Sequence, residues 1–80
     1  MNKYQKEFSQ LKSHDPIQFS ETTKEGYEFI TTAGHGYLVI PKEDSNSSLA
    51  SKMCEYGFKG QHADYLEEDC ETPNFINAIS

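Results

Sequence analysis

Five carboxylates fall within eight positions near the end of the chain, and no lysine or arginine occurs between Gln61 and Ser80 to neutralise them. The same run contains the thiol of Cys70. A one-sided charge of this kind repels itself, so it favours binding of a partner or an ion. We therefore predict a partner-binding surface in which the carboxylates supply charge and one tyrosine supplies an aromatic anchor. Its members are Asp64, Tyr65, Glu67, Glu68, Asp69 and Glu71.

The acidic run has three other interpretations. Its carboxylates are the ligands that Ca²⁺ and Mg²⁺ prefer, but the alternating acids, central glycine and closing glutamate of a calcium loop are absent. It is also consistent with an electrostatic decoy that presents charge where a partner expects phosphate. The simplest alternative is a solvated loop whose acids favour the N-terminus of the next helix. We predict no metal site and no cofactor.

The turn Gly34-His35-Gly36 is the second candidate for chemistry. Two glycines permit positive φ angles on either side of the histidine. An imidazole exposed at such a tip is suited to acid–base work or to metal binding. The alternative is a solvated hairpin turn, in which the glycines serve the backbone alone. The segment lacks the spacing of a phosphate-binding loop.

The two cysteines, Cys54 and Cys70, are sixteen positions apart and neither lies beside a second ligand at short spacing. Zinc sites normally pair their ligands closely in sequence, so this pattern predicts a structural role. The first residues have no apolar segment of signal-peptide length. We accordingly expect a cytoplasmic protein with reduced thiols and no membrane contact.

Charge also limits the class of partner. The chain has 80 residues, a net charge of −6 and seven basic residues, all of them lysine. Nucleic-acid binders need lysine and arginine for phosphates, and arginine for bidentate base reading. Direct binding of DNA or RNA is therefore not expected. A basic protein, including a nucleic-acid-binding protein, fits the charge better.

The apolar pattern predicts a small α+β domain over residues 15–80, preceded by a helix or arm at 1–14. Tyr4, Phe8 and Leu11 form the stripe of the first helix. Strands are predicted at 17–23, 27–32, 37–40 and 61–67, with 37–40 buried on both faces. A helix through 49–56 ends with Gly57 as its C′ residue, and a last helix begins at 72–73. The predicted architecture is an antiparallel sheet of about four strands, a meander plus one, with one or two helices on one face.

Two segments are similar to those of a known group. The stretches GHGYLVIP at 34–41 and YLEEDCE at 65–71 resemble a loose group of small bacterial, phage and mobile-element proteins with no assigned activity. The resemblance implies a short gene of phage or plasmid type.

From charge and resemblance together we predict a non-enzymatic interaction module that inhibits a host nucleic-acid-handling protein, as small anti-restriction and anti-CRISPR proteins do. The alternative is a metal-dependent or histidine-using enzyme built on His35 and the 64–71 run. Association into a homodimer is compatible with both predictions.

Overall fold

A computed structural model describes residues 1–80. It contains three helices and five strands. In chain order they are α1 (Lys3–Leu11), β1 (Phe19–Thr22), β2 (Glu28–Thr31), β3 (Gly36–Pro41), α2 (Ser47–Met53), β4 (Phe58–Lys59), β5 (Ala63–Glu67) and α3 (Glu71–Ile79).

The five strands form one sheet in the order β1-β2-β3-β5-β4, and every neighbouring pair is antiparallel. The meander β1-β2-β3 was predicted, and so was a further strand after the middle helix. Strand β5 pairs with the central strand β3, with Val39 opposite Tyr65 and Ile40 opposite Asp64. This confirms the α+β class and the antiparallel sheet.

Strand β3 is central because it is apolar on both faces. Side chains alternate along a strand. Tyr37 and Val39 therefore belong to one core cluster, and Leu38 and Ile40 to another on the opposite face. The first cluster includes Phe8 of α1, and the second includes residues of α2 and α3.

The helices accordingly lie on both faces of the sheet, whereas we expected one face only. A sheet whose central strand is apolar on both sides must be covered twice. The sheet also has one more strand than predicted, the two-residue β4. Helix α1 is an integral layer of the fold, since Phe8 is fully buried and packs edge-on against the rings of Tyr37 and Tyr65.

The predicted glycine geometry is wrong at three positions. Gly26 is the one glycine with a positive φ angle, 92°. The left-handed conformation is therefore absent at Gly34, Gly36 and Gly57. Helix α2 ends at Met53 with Cys54 as its C-cap. Gly57 is needed for a different reason, because a Cβ atom there would collide with the carbonyl oxygen of Tyr65. None of the three helices has the length and apolar character needed to cross a membrane.

Candidate functional site

Glu71 lies at the first position of α3, but its carboxylate points into the molecule. It accepts hydrogen bonds from the backbone N–H groups of Glu55 and Tyr56, from that of Gly57 at 3.0 Å and from that of Glu67 at 3.1 Å. Burial by itself would raise the pKa of Glu71, but these four donors outweigh it and hold the pKa below its ordinary value. Glu71 therefore connects α3 to β5 and to the loop after α2 through hydrogen bonds.

Asp64 is also turned inward. Because it alternates with Ala63 and Tyr65, its side chain shares a face of β5 with Leu66, on the side covered by α2 and α3. Its side chain is fully buried, and Oδ1 accepts a hydrogen bond of 2.8 Å from the Lys42 ammonium. A carboxylate paired in this way inside one chain contributes little to an exposed surface.

Tyr65 is fully buried and cannot anchor a partner. Its hydroxyl donates to the Glu7 carboxylate at 2.8 Å and lies 2.9 Å from the carbonyl oxygen of Tyr4. Burial, reinforced by the hydrogen bond to Glu7, raises the pKa of Tyr65. The same Glu7 carboxylate accepts the backbone N–H groups of Gln61 and His62. Glu7 thus joins α1 to the start of β5.

Three of the six predicted surface residues therefore hold the fold together, namely Asp64, Tyr65 and Glu71. The other three lie at the end of β5 and in the turn after it. Glu68 and Asp69 are exposed, and Glu67 is half-buried with its Oε1 accepting the backbone N–H of Asp69 at 2.8 Å. We call Glu67, Glu68 and Asp69 the acidic surface. No lysine forms an ion pair with any of them.

The exposed aromatic residue at this end of the sheet is Tyr56, whereas Tyr65 is buried. The Tyr56 side chain is 72% exposed. Its backbone N–H and that of Glu67 donate to the same Glu71 carboxylate, so the loop carrying Tyr56 is tied to the base of the acidic surface. The preceding Glu55 is exposed and is held by the same carboxylate. An exposed aromatic ring and several unpaired carboxylates therefore project from one end of the sheet.

The histidine turn approaches the same end. The backbone N–H of Glu68 donates to the carbonyl oxygen of Gly36 at 3.0 Å. A Cβ atom at Gly36 would lie 2.5 Å from the Phe29 ring and 2.7 Å from a carboxylate oxygen of Glu68, so close packing requires glycine there. Gly34 has open space around it, and His35 is exposed. Antiparallel pairing of β3 with β5 thus places the histidine turn beside Glu68.

The cysteines are separate and differ in environment. Cys54 is buried, and burial, together with the negative charges of Glu71 and Asp64, raises the pKa of its thiol to about 11. Cys70 is exposed at the start of α3. No three of the histidine, cysteine and acidic side chains converge in a geometry that could hold a metal ion.

Two residues of this region were not predicted, the buried Glu7 and the exposed Tyr56. Glu7 carried a signal, since residues 4, 7, 8 and 11 share one face of a helix and a carboxylate on that apolar face must be satisfied internally. Tyr56 was expected within the helix predicted through 49–56, whereas α2 ends at Met53 and Tyr56 lies in the loop after it.

Comparisons with known proteins found no match to a family model, to a curated protein or to a solved structure. The class of protein is therefore described by its fold and its site alone. It is a small three-layer α+β protein with an antiparallel sheet and an uncompensated acidic end.

Proposed function

We propose that this protein is a non-enzymatic interaction module that binds a basic protein through the acidic surface and Tyr56. The single observation that carries the proposal is an exposed tyrosine whose backbone is tied, through the Glu71 carboxylate, to Glu67 at the base of the acidic surface. Tyrosine is enriched at binding hot spots, since its ring buries a large area at low conformational cost. The surrounding carboxylates supply electrostatic complementarity and steer association.

The charge distribution supports this assignment. Both ion pairs in the protein lie away from the acidic surface, one between Lys3 and Glu43 and the other between Lys42 and Asp64. Exposed carboxylates without a counter-charge remain free to pair with lysine or arginine of another molecule. A nucleic-acid-binding protein is the natural target class, because its phosphate-binding surface is basic. The resemblance to phage and mobile-element proteins favours an inhibitory role.

Paired charge-reversal variants test the proposal. The double variant Glu68→Lys/Asp69→Lys changes the net charge by +4 within the acidic surface and leaves Glu67, whose carboxylate bonds the turn, in place. A matched control, Glu25→Lys/Glu43→Lys, makes the same change in net charge elsewhere; it removes the Lys3–Glu43 ion pair, which is exposed and contributes little to stability. The tagged wild type and both variants are used to capture proteins from the native host at low salt, and retained proteins are identified by mass spectrometry.

The expected result is a basic protein that is retained by the wild type and the control, released at high salt and lost from the acidic-surface variant. In a direct titration with that purified protein, the acidic-surface variant should bind at least tenfold more weakly, about 1.4 kcal/mol. Tyr56→Ala should weaken binding by a similar factor. If the folded acidic-surface variant binds within tenfold of the wild type, this surface is not the binding site.

A second candidate function is an enzyme that uses His35 together with the acidic surface. It is favoured by the backbone hydrogen bond that brings Glu68 beside the histidine turn. Mg²⁺, Ca²⁺, Mn²⁺ and Zn²⁺ are titrated while the melting temperature is followed, since a ligand bound only by the folded state raises it. The metal-dependent version predicts a rise for the wild type that His35→Ala abolishes. No rise with any of the four ions would eliminate that version.

A further inference from the structure

We propose that the free edge of β1 and the cleft beside it bind an extended peptide segment in which basic and apolar residues alternate. This site is separate from the acidic surface. The proposal rests on three independent observations: an unpaired strand edge, an anionic cleft lined by no basic side chain, and an exposed aromatic ring on the other face of the same strand.

Strand β1 is the open side of the sheet. It pairs with β2 alone, and all four of its residues are exposed. The backbone N–H of Thr23 donates to the carbonyl oxygen of Tyr27 at 2.7 Å. Bonded and non-bonded pairs alternate in an antiparallel ladder, so the next bonded positions are Glu21 and Phe19. The N–H and C=O groups of Ser20 and Thr22 therefore point away from β2 and are free to pair with another strand.

A cleft of about 440 Å³ lies between α1 and the β1-β2 hairpin. Its volume is within the range of ligand-binding clefts. Ser20 and Thr22 line it, so the free strand edge forms one wall. Glu28 supplies the carboxylate directed into the cleft, and no lysine, arginine or histidine lines it. Glu21 also lines the cleft, but it alternates with Ser20 and Thr22, so its side chain points to the opposite face of β1. The cleft is therefore complementary to a positively charged group.

Two side-chain amides hold the Glu28 carboxylate in place. Its Oε1 accepts a hydrogen bond of 3.1 Å from the Asn2 amide, and its Oε2 accepts one of 2.6 Å from the Gln5 amide. The Gln5 amide also contacts the Ser20 hydroxyl at 3.1 Å. These partners are neutral, so they orient the carboxylate without cancelling its charge. A carboxylate has about four acceptor positions, which leaves capacity for an ammonium or guanidinium group.

The opposite face of β1 selects a different side chain. Phe19 and Glu21 point to that face, and Phe19 is 55% exposed. Successive residues of an added strand point to alternate faces. A basic residue directed into the cleft is therefore flanked by residues directed toward Phe19, where an apolar side chain is favoured. Main-chain hydrogen bonds supply affinity and alternate side chains supply specificity in this mode of recognition.

A second copy of the chain is a poorer occupant. Pairing of two β1 strands would bring together the Glu21 side chains of both chains, and no lysine, arginine or histidine lines either cleft to offset the Glu28 carboxylates. Like charges facing each other across strands are destabilising. Each chain also has a net charge of −6, which adds to the repulsion.

The test is an NMR titration with a synthetic eight-residue peptide in which valine and lysine alternate. We expect the amide signals of Ser20 and Thr22 to shift and their hydrogens to become protected from exchange. The control peptide, in which glutamate replaces lysine, should not bind. Shifts confined to residues 67–69 would overturn the proposal, because the peptide would then be held by the acidic surface alone. Absence of binding by the lysine peptide would overturn it as well.

Three variants separate the contributions. Glu28→Gln should weaken peptide binding at least tenfold, whereas the matched change Glu25→Gln in the adjoining turn should leave it unchanged. Ser20→Pro removes an outward N–H without breaking a bond to β2, so it should abolish binding while the β2 amide signals stay in place. Wild-type affinity in a folded Ser20→Pro variant would exclude strand addition. Wild-type affinity in Glu28→Gln would exclude recognition of charge in the cleft.

Discussion

Lys42 and Asp64 form an ion pair that reaches the interior: the Lys42 Nζ atom lies 2.8 Å from Asp64 Oδ1, and the Asp64 side chain is fully buried. The second carboxylate oxygen, Oδ2, is buried without a hydrogen-bond partner. A buried carboxylate is costly unless it is paired, so the fold depends on Lys42 keeping its place at the end of β3.

Lys42→Met should therefore lower the free energy of unfolding by about 3 kcal/mol, the lower end for breaking a buried pair, since the Lys42 side chain is partly exposed. The double variant Lys42→Met/Asp64→Leu removes the unpaired charge and should recover part of this loss. Urea denaturation measures both. A Lys42→Met variant within about 0.5 kcal/mol of the wild type would contradict the assigned role.

Acid should destabilise the protein through Glu7 and Glu71. For both residues, burial opposes ionisation, but hydrogen bonds from backbone N–H groups and, for Glu7, the Tyr65 hydroxyl lower the pKa in the folded state. The unfolded chain then takes up protons first, near the ordinary glutamate pKa of about 4.3. Their contribution to stability is full above that pH and is lost as the pH falls through the lower folded pKa values.

Glu7→Gln and Glu71→Gln should each unfold more easily at pH 7, by about 1.5–3 kcal/mol for the loss of hydrogen bonds to a charged acceptor. Both variants should also show a weaker dependence of stability on pH between about 5 and 3. Thermal melts over this pH range measure the slope, with Glu25→Gln as the exposed control. A slope equal to that of the wild type in both variants would show that other groups cause acid unfolding.

Gly57 and Gly34 should respond differently to alanine. At Gly57 the added methyl group would collide with the carbonyl oxygen of Tyr65, a backbone atom fixed in the sheet. Gly57→Ala should cost about 2 kcal/mol or more, as overpacking does. Gly34 has nothing within 4 Å, and its φ angle is not positive. Gly34→Ala should leave stability unchanged or raise it by up to about 1 kcal/mol, and equal denaturation midpoints for the two variants would contradict the packing.

The two thiols should react at very different rates. Cys70 is exposed, whereas Cys54 is buried. The pKa of Cys54 is raised to about 11, so its thiol stays protonated and unreactive. A thiol reagent added to the native protein at pH 8 should modify one cysteine rapidly and the second only after denaturant is added. Cys70→Ser should remove the rapid phase, and Cys54→Ser should leave it. Two rapid phases in the native protein would place Cys54 at the surface.

Much of the architecture follows from local pattern. The uninterrupted apolar run in β3 predicted the buried strand, and the strand predicted at 61–67 contains β5. The stripe of Tyr4 and Phe8 located α1. These features depend on periods of 2 and 3.6 residues, which the sequence displays directly.

The sequence by itself determined the α+β class, the buried strand, the excess of negative charge and the lack of arginine, because these depend on composition and short-range periodicity. The tertiary structure alone decided which carboxylates face outward. Asp64 and Glu71 were counted with Glu68 and Asp69 because all four are neighbours in the chain. Their directions differ because Lys42 and the loop at 55–57 approach Asp64 and Glu71, respectively, in space. Glu7 likewise meets Tyr65, 58 residues away, and contacts over such separations leave no periodic trace in the sequence.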